Sequence, residues 1–324
     1  MNNNNNNKTM LICGATGFIG RNLLEYYVHN SKYKIKATYF NTPKLSNYNN
    51  VEWIHCDLRN INDVKKVLNG VDIVLHFAAT TSGVKDIIDK PYIHVTDNVI
   101  MSSLLLRESY EQNIKHFIFP SCTIMYKSSK NPIKETDFNL NDEITPQYFG
   151  AGNTKVYLEK MCEFYSRLEK TKYTVIRHSN IYGPYDKFDL EKSHVFSATI
   201  TKIMNSKNGK ITVWGSGEEE RDLLHINDLI NFIDLSLEKQ STQYELFNVG
   251  SGKPIKIKNL VEKIIHYSNI KLEIDNDLTR PTIPVSICLD CEKANKKLGW
   301  YPKISIDDGI IKVLDWYKKF KLNK

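Results

Sequence analysis

An α/β fold built on a doubly wound parallel sheet is predicted for the first half of this 324-residue chain, on three observations. Short apolar runs, too brief for helices, recur at 9–13, 35–40, 51–56, 71–77, 116–120 and 173–177. Helical stretches at 62–68, 96–112 and 154–169 lie between them, after a first amphipathic segment at 21–29. Between the first run and that segment stands Gly14-Ala15-Thr16-Gly17-Phe18-Ile19-Gly20. Strands alternating with helices imply parallel pairing with both faces covered, since each crossover lays a helix on one side of the sheet.

The run at 9–13 reads as a buried strand, and strand, glycine turn and helix together give the glycine spacing its meaning. Gly14 allows the tight turn, Gly17 lets the backbone approach a pyrophosphate, and Gly20 lets the helix pack close to the strand. Thr16, Phe18 and Ile19 complete this loop, whose free N–H groups favour negative charge. The second run ends Thr38-Tyr39-Phe40-Asn41, with no acid to hold an adenosine 2′-hydroxyl. No obvious arginine waits for a 2′-phosphate either, Lys44 and Arg21 being poor candidates. The expected cofactor is NAD, with NADP left open.

The net charge of +7, from 44 basic and 37 acidic residues, is spread thinly and reads as a solvated surface rather than a nucleic-acid patch. It also suits a substrate carrying a diphosphate. Asparagines 2–7 offer neither a basic nor an apolar region of a signal peptide, and no run approaches the ~18 apolar residues that span a bilayer. Four of the six cysteines sit in hydrophobic segments, as reduced cytoplasmic thiols do. Cys288 and Cys291 form a lone CxxC without a second pair, so no metal site is expected.

The order of further motifs resembles that of extended short-chain dehydrogenases of the nucleotide-sugar epimerase/dehydratase type, nearly end to end. Asp57-Leu58 matches the family's adenine-binding aspartate, His76-Phe77-Ala78-Ala79 the strand end beside the cofactor, and Asn98 the asparagine opening the next helix. Arg177-His178-Ser179-Asn180-Ile181-Tyr182-Gly183-Pro184 matches the passage into the substrate domain, where the asparagine contacts the diphosphate region. The resemblance implies a Rossmann-type cofactor domain over 1–179, rejoined by a strand near 220–250. A smaller mixed domain over 180–324 would bind the nucleotide sugar, and a homodimer or homotetramer is implied.

Tyr182-Gly183-Pro184 followed by Asp186, Ser193-His194-Val195 and Val213-Trp214-Gly215-Ser216-Gly217 is similar to the GDP-L-fucose-synthase-like branch. It implies a GDP-sugar, with His194 as an acid/base group and Thr81, Asn180, Trp214, Arg221 and Arg280 at the substrate. Guanidinium groups match phosphate oxygens in bidentate fashion, which favours Arg221 and Arg280 there.

One departure shapes the chemistry. Ala151-Gly152-Asn153-Thr154-Lys155 has the layout of the family's Tyr-x-x-x-Lys pair, with alanine in the tyrosine's place. In the family the tyrosinate takes the hydroxyl proton, the lysine activates it, and a serine or threonine bonds the substrate oxygen. Cys122 stands at that hydroxyl position, with Thr123 favoured over Ser121 to supply the group. Losing a general base costs ~10²–10⁴ in rate. A water relay, Lys155 and Tyr148 are the substitutes on offer.

The reading is NAD-dependent oxidation at C4 of a GDP-hexose or GDP-manno-heptose, similar to enzymes making GDP-4-keto-heptoses for bacterial capsule. If reduced cofactor stays bound, a second substrate is expected to reoxidise it. A GDP-4-keto-sugar epimerase or reductase and a catalytically silent GDP-sugar binder are the alternatives. The first is weakened by Ile124, which replaces the fucose-synthase cysteine.

Overall fold

The computed structural model describes residues 8–31, 33–45, 48–80, 90–190, 193–280 and 285–322. Six strands follow the predicted runs: β1 (Thr9–Cys13), β2 (Lys34–Tyr39), β3 (Val51–His55), β4 (Ile73–His76), β5 (His116–Pro120) and β6 (Lys172–His178). The chain then leaves for a second lobe with β7 (Asn180–Tyr182), β8 (Lys210–Trp214) and β9 (Glu220–His225). It returns as β10 (Tyr244–Val249), which pairs with β6. The sheet is parallel throughout, in the order β10-β6-β5-β4-β1-β2-β3. Strand order reverses between β1 and β4, the place where an open α/β sheet leaves a crevice for ligands.

Alternation along each strand sorts side chains into two cores. Met10, Ile12, Ile176 and Phe247 meet α1 (Phe18–Asn30) on one face, while Leu11, Cys13, Phe117 and Val175 meet α2 (Ile61–Leu68) on the other. The second core is completed by α3 (Thr96–Glu111) and α4 (Phe149–Ser166), which supply Leu105, Leu106, Leu158 and Cys162.

Helix α4 starts five residues before the predicted 154. Gly150, Gly152 and Asn153 are poor helix formers, which is why the pattern alone begins late. Tertiary packing overrides that preference. A Cβ on Gly152 would stand 3.0 Å from two side-chain carbons of Ile144, and one on Gly150 would stand 3.0 Å from Val95 Cγ2. The glycines therefore let the helix start sit close to its neighbours, and Ala151 lies inside the helix one turn before Lys155.

The second lobe has its own core. Phe196 and Ile200 come from α5 (Val195–Met204), and α6 (Ile226–Lys239) runs back over the sheet beside α1. Tyr26 and Tyr27 both donate to Asp234, tying those two helices together. After β11 (Pro254–Lys256), α7 (Ile257–Ser268) and β12 (Glu273–Asp277), α8 (Glu292–Leu298) joins the first core. Helix α9 (Ile306–Tyr317) closes the lobe with Ile310, Val313 and Leu314. Strands β11, β9 and β7 form a mixed three-stranded sheet, and β12 pairs with β8. Among the described residues no helix is long and apolar enough to cross a membrane.

Candidate active site

The turn between β1 and α1 is made by backbone. Gly14 has φ +77°, and a Cβ there would lie 2.7 Å from the Ala78 backbone. A Cβ on Gly20 would lie 2.1 Å from the Gly14 carbonyl oxygen. Only glycine fits either place. The Thr38 hydroxyl accepts from Gly14 N–H at 3.0 Å and fixes the turn to β2. Gly17 caps α1 without a side-chain bond, no acid occupies the first turn, and Gly17 is exposed. A helix start of this kind presents free N–H groups to an anion, so the turn and the start of α1 suit a dinucleotide pyrophosphate.

Along the crevice, Asn98 is committed to the loop after β4. Its oxygen accepts from Thr80 N–H at 2.8 Å, and its amide donates to the carbonyls of Thr80 and His94. It thus shapes the Ala78-Ala79-Thr80 backbone rather than presenting a free amide. Asp57 is held bidentate by Arg59, whose guanidinium also reaches Asp97. That clasp holds the Asp57 carboxyl below the usual carboxylate range. Leu58 beneath it is buried. Thr81 lies outside the described residues.

Lys155 rises from α4 to donate to the Pro120 carbonyl at the end of β5, at 2.7 Å, with its ammonium 4.9 Å from the Phe119 ring centre. Burial lowers its affinity for the proton, while the Cys122 thiol and Glu159 act in the opposite sense. One turn further, Glu159 and Arg177 form a buried bidentate pair at 2.9 and 2.6 Å. Ser121 donates to the same carboxylate at 2.5 Å, and Arg177 also donates to Tyr126. Tyr126 in turn donates to Asn248 on β10. This network locks the Lys155 helix to three strand ends. The motif order quoted Arg177 without indicating its role, because its partners Tyr126, Glu135 and Glu159 come from three separate segments.

A cavity of about 60 Å³ opens between the loop after β5 and the starts of β7 and β9, lined by Thr123, Ile124, Thr145, Tyr148, Ser179, Asn180, Arg221, Asp222, Val285 and Ile287. Four sequence-predicted residues therefore converge: Thr123, Tyr148, Asn180 and Arg221. Burial raises the Tyr148 phenol's pKa, with the Arg221 guanidinium opposing it. Burial likewise raises that of the Cys122 thiol. Arg221 reaches across to the Val285 carbonyl. Asp222 accepts from Ser251, Gly252 and Leu289 backbone N–H groups and so pins the floor beneath it.

Other candidates lie elsewhere. Trp214 and Arg280 form a separate exposed cluster, with Arg280 5.3 Å and Lys202 5.5 Å from the indole centre. His194 is exposed at the start of α5, near Asp186. His178, quoted only as part of a motif, sits at the end of β6 near both Lys155 and His194. Among the described residues no group of three His, Cys, Asp or Glu side chains could hold a metal ion. Cys291 instead accepts from Gly250 N–H at 3.2 Å.

Known proteins are similar to this chain over nearly its whole length. A GDP-L-fucose synthase of Azorhizobium caulinodans is 28% identical over 320 residues, covering 96% of each chain. A dTDP-4-dehydro-6-deoxyglucose reductase of Escherichia coli is 30% identical over 318 residues, covering 94% of this chain and 96% of the other. The crystal structure of the Thermotoga maritima UDP-glucose 4-epimerase with UDP-glucose superimposes with a TM-score of 0.85 at 25% identity, over 96% of this chain and 99% of that one. A family model matches residues 10–250, a span that takes in the glycine turn and all of the cavity lining but Val285 and Ile287. The chain belongs to the NAD dependent epimerase/dehydratase family.

Proposed function

We propose that the protein is an NAD-dependent oxidoreductase of a GDP-linked sugar, oxidising C4 of a GDP-hexose or GDP-manno-heptose to the 4-keto sugar. The observation carrying this reading is the cavity in which Thr123, Tyr148, Asn180 and Arg221 converge. When bound, NAD supplies the hydride acceptor. The turn from Gly14 to Gly20 receives the pyrophosphate, and Lys155 supplies the ammonium at the nicotinamide end. Arg221 and Asn180 hold the substrate diphosphate, and the Thr123 hydroxyl bonds the sugar oxygen. Trp214, flanked by Lys202 and Arg280, offers a stacking face to guanine. Ala151 has no proton to exchange, so the phenol of the family is replaced by another group.

Two further observations support details of this reading. Arg21 stacks 3.7 Å from the Tyr185 ring centre and pairs with Glu25, and Arg59 is held by two carboxylates. Neither cation is then spare for a 2′-phosphate, which favours NAD. Ile100 on α3 and Tyr157 and Phe164 on α4 are exposed, which favours a paired second copy of the chain. Sedimentation at micromolar concentration is expected to give a dimer or tetramer.

A GDP-4-keto-sugar reductase or epimerase is the second reading, favoured by the exposed His194 imidazole and by relatives named for synthase and reductase activities. Incubation with NAD and a panel of GDP-hexoses and GDP-heptoses tests both, following 340-nm absorbance and the C4 proton by NMR. A 4-keto product supports oxidation. Turnover only with a GDP-4-keto-sugar and NADH supports the second reading. Stoichiometric nucleotide binding without isotope exchange at any sugar carbon would mark a silent binder and overturn both.

A further inference from the structure

We propose that His178 is the proton acceptor that replaces the missing phenol, its Nε2 taking the sugar hydroxyl proton and His194 carrying it outward. The proposal deepens the oxidoreductase reading and rests on it.

Three features of geometry carry it. First, position: β5 and β6 pair with Pro120 opposite Ile176, and Lys155 Nζ sits on the Pro120 carbonyl. His178 ends β6 two residues beyond Ile176, so both side chains stand at the ends of adjacent strands. The next two residues, Ser179 and Asn180, line the substrate cavity.

Second, the tautomer is imposed. Nδ1 of His178 lies 2.8 Å from the Ser179 carbonyl oxygen. A carbonyl only accepts, so Nδ1 must carry the hydrogen and Nε2 keeps its lone pair. No described residue bonds Nε2, and the ring is half-buried. Third, the alternatives are in the wrong state or place. Burial keeps the Cys122 thiol and the Tyr148 phenol protonated, and His76 is buried.

The charged and titratable groups facing His178 are Lys155 from α4 and His194 from the start of α5. Burial holds the imidazole neutral by lowering its pKa to about 4, against the Ser179 carbonyl, which acts in the opposite sense, and with the Lys155 ammonium adding to the effect. Such a weak base keeps a proton only in passing and needs an onward acceptor. His194 is exposed and lies near Asp186, which accepts from Lys187 N–H at 2.7 Å and from Ser197. In the oxidation, the C4–H bond gives hydride with its electron pair to the nicotinamide. The O–H electrons form the carbonyl, and the proton moves to Nε2, to His194 and to water.

The test compares wild type with His178→Ala and His178→Gln in single-turnover NAD reduction at 340 nm, with NAD affinity measured by calorimetry. The expected results are a fall of about 100-fold in both variants and NAD affinity within about twofold of wild type. Added imidazole should restore at least about tenfold in His178→Ala and leave wild type unchanged. A long-range proton–nitrogen spectrum of wild type at pH 7 should show the Nδ1–H tautomer, a readout independent of turnover. An Nε2–H tautomer, rates within about threefold of wild type, failure of rescue, or a large loss of NAD affinity would each overturn the proposal. A wild type that reduces no NAD with any GDP-sugar removes the oxidoreductase reading itself, and the proposal with it.

Discussion

The turn that opens α1 and the cavity beside the start of α4 are built from different materials. The first is backbone: two positions where any Cβ collides with main chain, and a helix start with free N–H groups. The second is side chain: Thr123 after β5, Tyr148 before α4, Asn180 on β7 and Arg221 on β9. Contiguous residues make the first, whereas 98 positions separate the outermost of those four. A backbone site is specified by residues that must be absent, a side-chain site by residues that must meet. Substitution should therefore abolish one outright and grade the other.

The largest effect is expected where main chain is struck. Gly20→Ala places a methyl 2.1 Å from the Gly14 oxygen, and NAD affinity should fall at least ~100-fold, about 2.8 kcal/mol. Calorimetry reads it, and an affinity within threefold of wild type would break the contrast. Next comes the frame beneath the cavity. Arg177→Leu leaves Glu159 buried without its partner and should lower unfolding stability by ~3–5 kcal/mol in urea. Glu159→Leu combined with Arg177→Leu should recover part of that loss, because the stranded charge is gone.

Acid should act through the buried imidazoles of the sheet. His76 and His116 are buried and held neutral, each with a pKa of about 3, chiefly by burial. Unfolded histidine titrates near ~6.5, so below that pH the unfolded chain binds protons that the fold refuses. This stability is complete above about pH 6.5 and is lost as pH falls towards 3, at ~1.4 kcal/mol per pH unit for each histidine. Urea midpoints between pH 7 and 5 check it, and His116→Gln should flatten the slope by one proton. The smallest effects belong to single cavity contacts. Thr123→Val should lower turnover about fivefold, the worth of roughly 1 kcal/mol for one hydrogen bond. Tyr148→Phe should change turnover less than that, since the phenol stays protonated. A fall of 100-fold in Tyr148→Phe would return the proton to that ring.

The same contrast explains what could be read in advance. Every predicted strand in the first half is present because each is a short run whose apolar residues meet a covered face, even at the edge, where Glu52 and His55 of β3 stay exposed, and the glycine spacing announced its own turn. The start of α4 was not legible, since Gly150 and Gly152 argue against a helix until Val95 and Ile144 are known to press on it. Asn98 was recognisable as a marked position but not as a clamp on Thr80, which only the loop path discloses. Trp214 and Arg280, expected at the substrate beside Asn180 and Arg221, stand together in a cluster of their own, outside the cavity lining. His178, quoted only inside a motif, and Glu159, not quoted, gave no sign of a role, because a lone histidine and a lone glutamate acquire meaning only from neighbours distant in sequence.

Strand β10 has a consequence for biosynthesis. It fills the outer edge of the seven-stranded sheet beside β6, yet it is translated after β7, β8 and β9. A nascent chain that has emerged only as far as residue 180 thus exposes the flank of β6 as an unpaired, aggregation-prone border. Any truncation that ends between those points should yield insoluble protein.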